Sequence, residues 1–331
     1  MSSAVSRRNF LSFDFARGAG AGGHWVTLHR VAMACRVEVK LVSDAPGDIA
    51  AAREALDEAD RLEARLTVFR GTSDVADVNR RAAAEPVRVG NELFDLLQIS
   101  RDIHADTEGA FDVTAGPLTR CWGFLERDPR MPGAEALSAA RASVGMSGVT
   151  IDAAQRTVRF DRPGMELNFG SVGKGYVLDR MADCLRRRGV RHALLSAGAS
   201  SLVALGGRDG GWPIDLRPQR LGGRVASIRL RDGAIGTSGS GEQFFEAEGV
   251  RYGHVLDPRT GHPASGVLAA SVIARSGAMA DALSTAFLVG GAGLATRYCA
   301  AHPDTQAVIV PEDGPPAIVG HYAGASMEFR E

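Results

Sequence analysis

Lysine is nearly absent from this chain. Lys40 and Lys174 are the only two among 38 basic residues, and the rest are arginine. Codon bias accounts for the arginines. A lysine retained against that bias marks a place where a compact ammonium suits its surroundings. Cysteine is scarce too. Cys35, Cys121, Cys184 and Cys299 lie far apart, and no pair has zinc-finger or redox-motif spacing, so they read as reduced, buried thiols. The net charge of −1 leaves no electrostatic footprint for nucleic acid. No apolar run approaches the length of a membrane span. The sequence also lacks a Ser-His-Asp order, a zinc motif, a P-loop and a dinucleotide fingerprint.

What is present is an ordinary globular composition, 45% hydrophobic and 23% charged over 331 residues, enough for one large domain or two intimate ones. Ser6-Arg7-Arg8-Asn9-Phe10-Leu11 is similar to a twin-arginine export signal, but the apolar stretch that should follow is missing. Ala32-Met33-Ala34-Cys35 has a faint likeness to a lipoprotein cleavage site, with His29 and Arg30 where apolar residues belong. The expectation is a disordered tail over 1–23 and one domain over 24–331. A cytoplasmic location is favoured, with export through the tail left open.

Along the chain, alternation at Val37, Val39 and Leu41 predicts a strand over 26–41. A helix is expected from Pro46 to about Ala64, with Ile49, Ala52, Leu56, Ala59 and Leu62 on one face, and another over 92–105. Residues 71–77 and 110–118 read as loops. A hairpin is expected over 149–160, then a strand over 165–169 running into a glycine-rich turn and a helix that stops at Gly189. Further strands are expected over 192–204, 213–216, 226–230, 250–256, 267–274, 307–310 and 317–319, with helices over 279–289 and 294–301. Strands and helices mix without regular alternation, which predicts an α+β fold rather than a doubly wound sheet.

Five stretches could carry chemistry. In Ala280-Asp281-Ala282-Leu283-Ser284-Thr285-Ala286, Asp281 and Thr285 stand one helical turn apart and face the same way. A carboxylate with a hydroxyl suits Mg²⁺, which takes few protein ligands and fills its shell with phosphate and water; a first-turn aspartate favoured by the helix dipole is the plainer reading. Gly170-Ser171-Val172-Gly173-Lys174-Gly175 could bring backbone and an ammonium to a diphosphate, or be an ordinary turn. In Tyr252 to Gly261, Asp257-Pro258-Arg259-Thr260-Gly261 is a tight-turn sequence and His254 precedes it; each could equally be structural. Asp112 and Thr114 could hydrogen-bond a flat heterocycle, while Phe111 and Trp122 read more simply as core anchors. Gly236 to Gly241 could form an anion nest or a hairpin loop.

The order of these stretches resembles the ApbE family, the FAD:protein FMN transferases. The likeness runs from about residue 30 to the C-terminus and is carried most specifically by Phe111-Asp112-Val113-Thr114-Ala115-Gly116-Pro117-Leu118, the Asp257–Gly261 turn and the Ala280–Ala286 segment. It implies a T-fold-related α+β unit, FAD as substrate, Mg²⁺ as cofactor and transfer of FMN to a Thr or Ser of an acceptor flavoprotein with release of AMP. By resemblance, Asp281 and Thr285 ligate the metal with Ser284 and Ser171 nearby. Met33, Phe69, Ala110, Phe111, Asp112, Asn168, Lys174 and Val255 fall at flavin-nucleotide positions. His254 is the candidate base and Asp257 its rival. The chain departs from the family pattern at Gly198-Ala199-Ser200, Ser240-Gly241 and Gly253, on the side where an acceptor is expected to dock. Hydrolysis of FAD to FMN and AMP, or FAD binding without turnover, are the competing readings.

Overall fold

The alternating run near the start of the chain folds back on itself rather than running on. The computed structural model describes residues 11–12, 24–43, 46–207, 210–217, 223–241 and 243–329. A two-residue strand β1 (Leu11–Ser12) is followed by β2 (His24–Ala32) and β3 (Cys35–Ser43). The single strand expected over 26–41 is therefore a hairpin. It turns at Met33 and Ala34, whose φ values of 53° and 55° are ones that hairpin turns normally give to glycine or asparagine. The expected disorder over 1–23 falls outside the described residues, apart from Leu11 and Ser12, which pair with Leu216 and Asp215.

Next come α1 (Pro46–Leu66), α2 (Asp74–Arg81), β4 (Val87–Arg88) and α3 (Asn91–Asp106). The α1 stripe of Ala52, Leu56, Ala59 and Leu62 is buried, whereas Ile49 is exposed. Helix α2 overlaps a stretch expected to be a loop; Ser73 caps it, its Oγ accepting from the Ala76 N–H at 3.0 Å. Helices α4 (Gly116–Cys121) and α5 (Ala134–Ala142) precede the expected hairpin of β5 (Val149–Asp152) and β6 (Thr157–Phe160). Residues 165–169, expected to be a strand, form only an isolated bridge between Glu166 and Ala115. Their amides go elsewhere: Leu167 N–H donates to Asn79 Oδ1 at 2.8 Å and Asn168 N–H to the Val113 carbonyl at 2.7 Å. Helix α6 (Gly173–Arg187) follows, ending before Gly189 as expected.

The region 192–204 is again two strands, β7 (Ala193–Ala197) and β8 (Ser201–Leu205), turning at Gly198 with φ 61°. Strands β9 (Trp212–Leu216), β10 (Ala226–Leu230) and β11 (Gly233–Gly239) come next. Most of the stretch read as a nest or loop thus belongs to β11. Strands β12 (Phe244–Ala247), β13 (Val250–Gly253) and β14 (Val267–Ala274) lead into α7 (Gly277–Ala301), and β15 (Gln306–Pro311), β16 (Ala317–Gly320) and β17 (Ala325–Phe329) follow it. The two helices expected over 279–301 are one element kinked at Gly291, where φ is 68°.

An eight-stranded sheet runs β16-β15-β14-β11-β8-β7-β3-β2, antiparallel throughout. Alternate residues of its central strands serve two cores. Ala193, Leu195, Val203 and Leu205 join the core that contains α1, α6 and α7. Leu194, Leu202 and Ala204 join a second core against the sheet β1-β9-β10-β17. The result is the expected α+β architecture, with the helices on one face. Helix α7 corrects the expectation about membrane spans. It is long and apolar enough to cross a membrane by length and composition, with mean hydropathy 1.4 in its most apolar window. That window is 61% buried inside the protein, because a helix packed on most of its sides is apolar all round.

Candidate active site

Three glycines bring α6, α7 and β11 into close contact. A β-carbon at Gly175 would collide with the Gly277 carbonyl, and one at Gly236 would collide with the Ala280 carbonyl. A β-carbon at Gly277 would crowd the Gly175 carbonyl at 2.5 Å. Only glycine permits this approach, and the approach sets the first turns of α6 and α7 side by side.

Each helix start is then capped by an aspartate from the other. Asp281, in α7, accepts the Gly175 N–H at 3.0 Å through Oδ2. Asp179, in α6, accepts the Gly277 N–H at 2.7 Å and the Ala278 N–H at 3.0 Å. Both arrangements satisfy amides that a helix start leaves without partners and place negative charge at the positive end of the dipole. Burial pushes the Asp179 carboxyl up to about 6, and its two amide donors pull the other way. Ser201, from β8, donates to Asp281 Oδ1 at 3.0 Å, and Lys174 Nζ lies 3.7 Å from the same oxygen.

The hydroxyls beside Asp281 form a chain. Ser284 Oγ donates to the Asp281 carbonyl at 2.8 Å. Ser238 Oγ, from β11, lies 2.8 Å from Ser284 Oγ and 3.1 Å from Thr285 Oγ1. Asp281 and Thr285 line a cleft of about 330 Å³, together with Ser171 and Lys174. Ser284 is fully buried behind them.

One wall of the cleft is the loop of Ala110, Phe111 and Asp112, with Asn168 beside it. The Asp112 carboxylate is committed to that loop. Its Oδ1 accepts from the Thr114 N–H at 2.7 Å and the Thr114 hydroxyl at 2.6 Å, and Oδ2 accepts from the Met146 N–H at 3.2 Å. Thr114 is itself buried and accepts from the Gly145 N–H at 2.8 Å. These bonds hold the loop's shape, and they leave Asp112 lining the cleft and Thr114 buried behind it. Asn168 Oδ1 accepts from the Gly170 N–H at 2.9 Å, leaving the amide NH₂ as what this residue can offer a ligand.

The opposite rim carries His254 and Val255, with Gln243. His254 Nδ1 lies 3.2 Å from the Gln243 carbonyl. A carbonyl only accepts, so Nδ1 is the protonated nitrogen and Nε2 holds the lone pair. Desolvation lowers the imidazole pKa to about 4, and the Lys174 charge adds to the effect. The ring is neutral at physiological pH.

Asp257 is not among the residues that line the cleft, although its neighbours Leu256 and Pro258 are. Its Oδ1 accepts from the Arg259 N–H and Nε at 2.9 Å, and its Oδ2 from Arg259 Nη2 at 2.9 Å. The turn it stabilises is pinned by Trp122, whose Nε1 donates to the Gly261 carbonyl at 2.8 Å. Met33 and Phe69 are likewise not among the residues lining the cleft. Met33 packs at the edge of the main core, and Phe69 is 72% exposed. Sequence reasoning missed Ser201, which no local pattern distinguishes from its neighbours. It also missed the pairing of Ser238 with Ser284 and Thr285, which bridges 46 and 47 residues.

The donors around Asp281 are all hard oxygens. Among the described residues there is no group of three or more His, Cys, Asp and Glu side chains placed to hold a metal. One carboxylate and neighbouring hydroxyls do not close a cage, but they fit an ion that keeps water and takes substrate phosphate into its shell.

Residues 33–309 match the ApbE family, and the chain belongs to it. Two relatives are each named FAD:protein FMN transferase. That of Vibrio cholerae is 32% identical over 74% of this chain and 76% of its own length. That of Klebsiella pneumoniae is 31% identical over 70% and 72%. Among solved structures, the ApbE protein of Thermotoga maritima superposes with a TM-score of 0.82 at 29% identity, covering 89% of this chain and 97% of that one. The flavin transferase ApbE of Vibrio cholerae gives 0.81 at 27% identity, over 90% and 98%.

Proposed function

We propose that this protein is an FAD:protein FMN transferase that uses Mg²⁺ and links FMN to a Thr or Ser hydroxyl of an acceptor protein, releasing AMP. The observation that carries this reading is the content of one cleft: the Asp281 carboxylate, the Thr285 hydroxyl and the Lys174 ammonium on one side, and a neutral His254 on the other. In the reaction, the acceptor oxygen bonds to the phosphorus on the FMN side of the diphosphate. The bond from that phosphorus to the bridging oxygen breaks, and AMP departs with the bridging oxygen. Asp281 and Thr285 would hold Mg²⁺, with Ser171 close by, and the ion would neutralise charge on the phosphoryl oxygens. Lys174 adds a fixed positive charge beside the same diphosphate. His254 Nε2 accepts the proton that the acceptor hydroxyl gives up. Its low basicity limits how long it holds that proton. Phe111, Ala110 and Val255 give the flavin end an apolar wall, and the Asn168 amide offers it a donor.

Intact-mass spectrometry tests the reading. Enzyme, FAD, Mg²⁺ and a candidate acceptor protein should yield an acceptor heavier by one FMN phosphoester, with one AMP released per adduct. The matched incubation without acceptor should leave FAD intact. Rapid AMP release in that control would replace transfer with hydrolysis, and unchanged FAD under both conditions would leave only binding.

A further inference from the structure

Asp179 lines no part of the cleft, yet its part-buried carboxylate holds the first two amides of α7. One turn further along α7 stands Asp281, whose own carboxylate holds the Gly175 amide of α6. Asp179 lies one turn beyond Gly175 on α6. The four groups therefore close a ring: Asp179 to α7, α7 to Asp281, Asp281 to α6, and α6 back to Asp179. Lys174 is inside that ring in sequence, next to Gly175, and 3.7 Å from Asp281. Gly175 and Gly277 lie in backbone contact, with no side chain between the helix starts. Two rigid elements in contact transmit a shift at one end to the other. Neither helix start can turn without breaking the bond that fixes its partner.

We propose that Asp179 is a positioning residue for the transfer reaction, holding Asp281 and Lys174 in register by capping α7 while Asp281 caps α6. This role rests on the reading of the cleft as the transfer site, but the ring itself can be tested without turnover. Asp179→Asn keeps the size of the side chain and replaces one acceptor oxygen with an NH₂ that faces a backbone donor. Amide hydrogen exchange should then quicken about tenfold at Gly277 and Ala278, and also at Gly175, whose partner is Asp281 rather than Asp179. The reciprocal variant, Asp281→Asn, should quicken exchange at Gly277 and Ala278. It stands in if Asp179→Asn does not fold. Ser276 caps the same start of α7 through the Met279 amide, so Ser276→Ala should quicken exchange at Gly175 as well, whereas Ser73→Ala, which removes the cap of α2 outside the ring, should leave Gly175, Gly277 and Ala278 protected.

With FAD, Mg²⁺ and acceptor, kcat for Asp179→Asn should fall about 10- to 100-fold, as when the groups that orient metal ligands are removed, with the acceptor KM unchanged. In an Asp281→Asn background the same substitution should cost much less, because its routes to the metal site and to Lys174 both pass through Asp281. Exchange that quickens only at the directly capped amides overturns the ring. Equal, additive losses of kcat in both backgrounds overturn the positioning role. A wild-type enzyme without transfer activity, in which exchange is coupled as described, would overturn the transfer reading and the positioning role and leave the ring standing.

Discussion

The floor of the cleft and its rim are built in different ways. At the floor, α6, α7 and β11 meet backbone to backbone through Gly175, Gly277 and Gly236, and nearly every polar group has a partner inside the protein. Asp281 is 3% exposed and Ser284 is fully buried. At the rim, among the described residues, β12 and β13 pair only with each other. Phe245 and Tyr252 stack 5.2 Å apart and lie against Trp122, while Phe244 and Val250 face outward. A floor fixed by directional bonds suits a diphosphate, whose charge does not vary from one turnover to the next. A rim supported by an aromatic cluster can tolerate changes in what approaches it. Gly253 and Ser240 lie together beside this rim, whereas Ser200, in the other stretch expected to depart from the family pattern, lines the cleft next to Ser201 at the floor.

The largest expected effect lies at the floor. Asp281→Asn should lower FMN transfer by about 10²- to 10³-fold, the scale of removing a group aimed at developing phosphoryl charge. Circular dichroism should still report a folded protein. Activity within about threefold of wild type in a folded Asp281→Asn variant would break the comparison outright. The next effect lies at the rim. His254→Gln should lower kcat about 10²-fold, as for loss of a general base, with little change in FAD affinity.

The same substitution has a pH signature. His254 titrates near 4 in the folded protein, below the ordinary histidine value of 6.5. Between those values the unfolded chain binds the extra proton, so this residue costs stability as the pH falls from about 6.5 to 4. Asp179 acts in the opposite direction. With its carboxyl raised to about 6, the folded protein binds the proton more tightly, and this contribution to stability is lost as the pH rises from about 4 to 6. Urea unfolding of His254→Gln should therefore show a smaller loss of stability on acidification than wild type. An unchanged slope would place the ring in water and remove the reason for its low pKa.

The smallest effect separates two residues that look alike in sequence. Asp257→Asn should leave transfer within about threefold of wild type and cost about 1 kcal/mol of stability through its turn, read from the urea midpoint. A loss of kcat comparable to that of His254→Gln would move the base three residues along the chain and redraw the rim.

The parts of the site carried by local spacing were legible in the sequence. Asp281, Ser284 and Thr285 sit at i, i+3 and i+4 of one helix, and the glycine-rich turn with Lys174 sits at the start of another. Their order along the chain carried a resemblance that implied one flavin-diphosphate site, and the structure brings these stretches into one cleft. Contacts across strands were not legible. Ser201 reaches Asp281 from 80 residues away, and nothing in its immediate neighbours marks it. Two hairpins were read as single strands for a related reason. Their turns at Met33-Ala34 and at Gly198 to Ser200 interrupt continuous alternation without the usual pair of turn residues. Residues 165–169 failed in the other direction. Their apolar–polar alternation was real, but Asn79 of α2 and the Val113 carbonyl take its amides.

Two helices that hold each other's first turns also constrain how this protein can vary. A change at either aspartate is felt by both helices at once, so the floor cannot drift by single tolerated steps. The hairpin above it is under no such joint obligation. Divergence among relatives of this chain is therefore expected to spare Asp179, Asp281 and the glycines that set their helices together, and to concentrate elsewhere around the cleft.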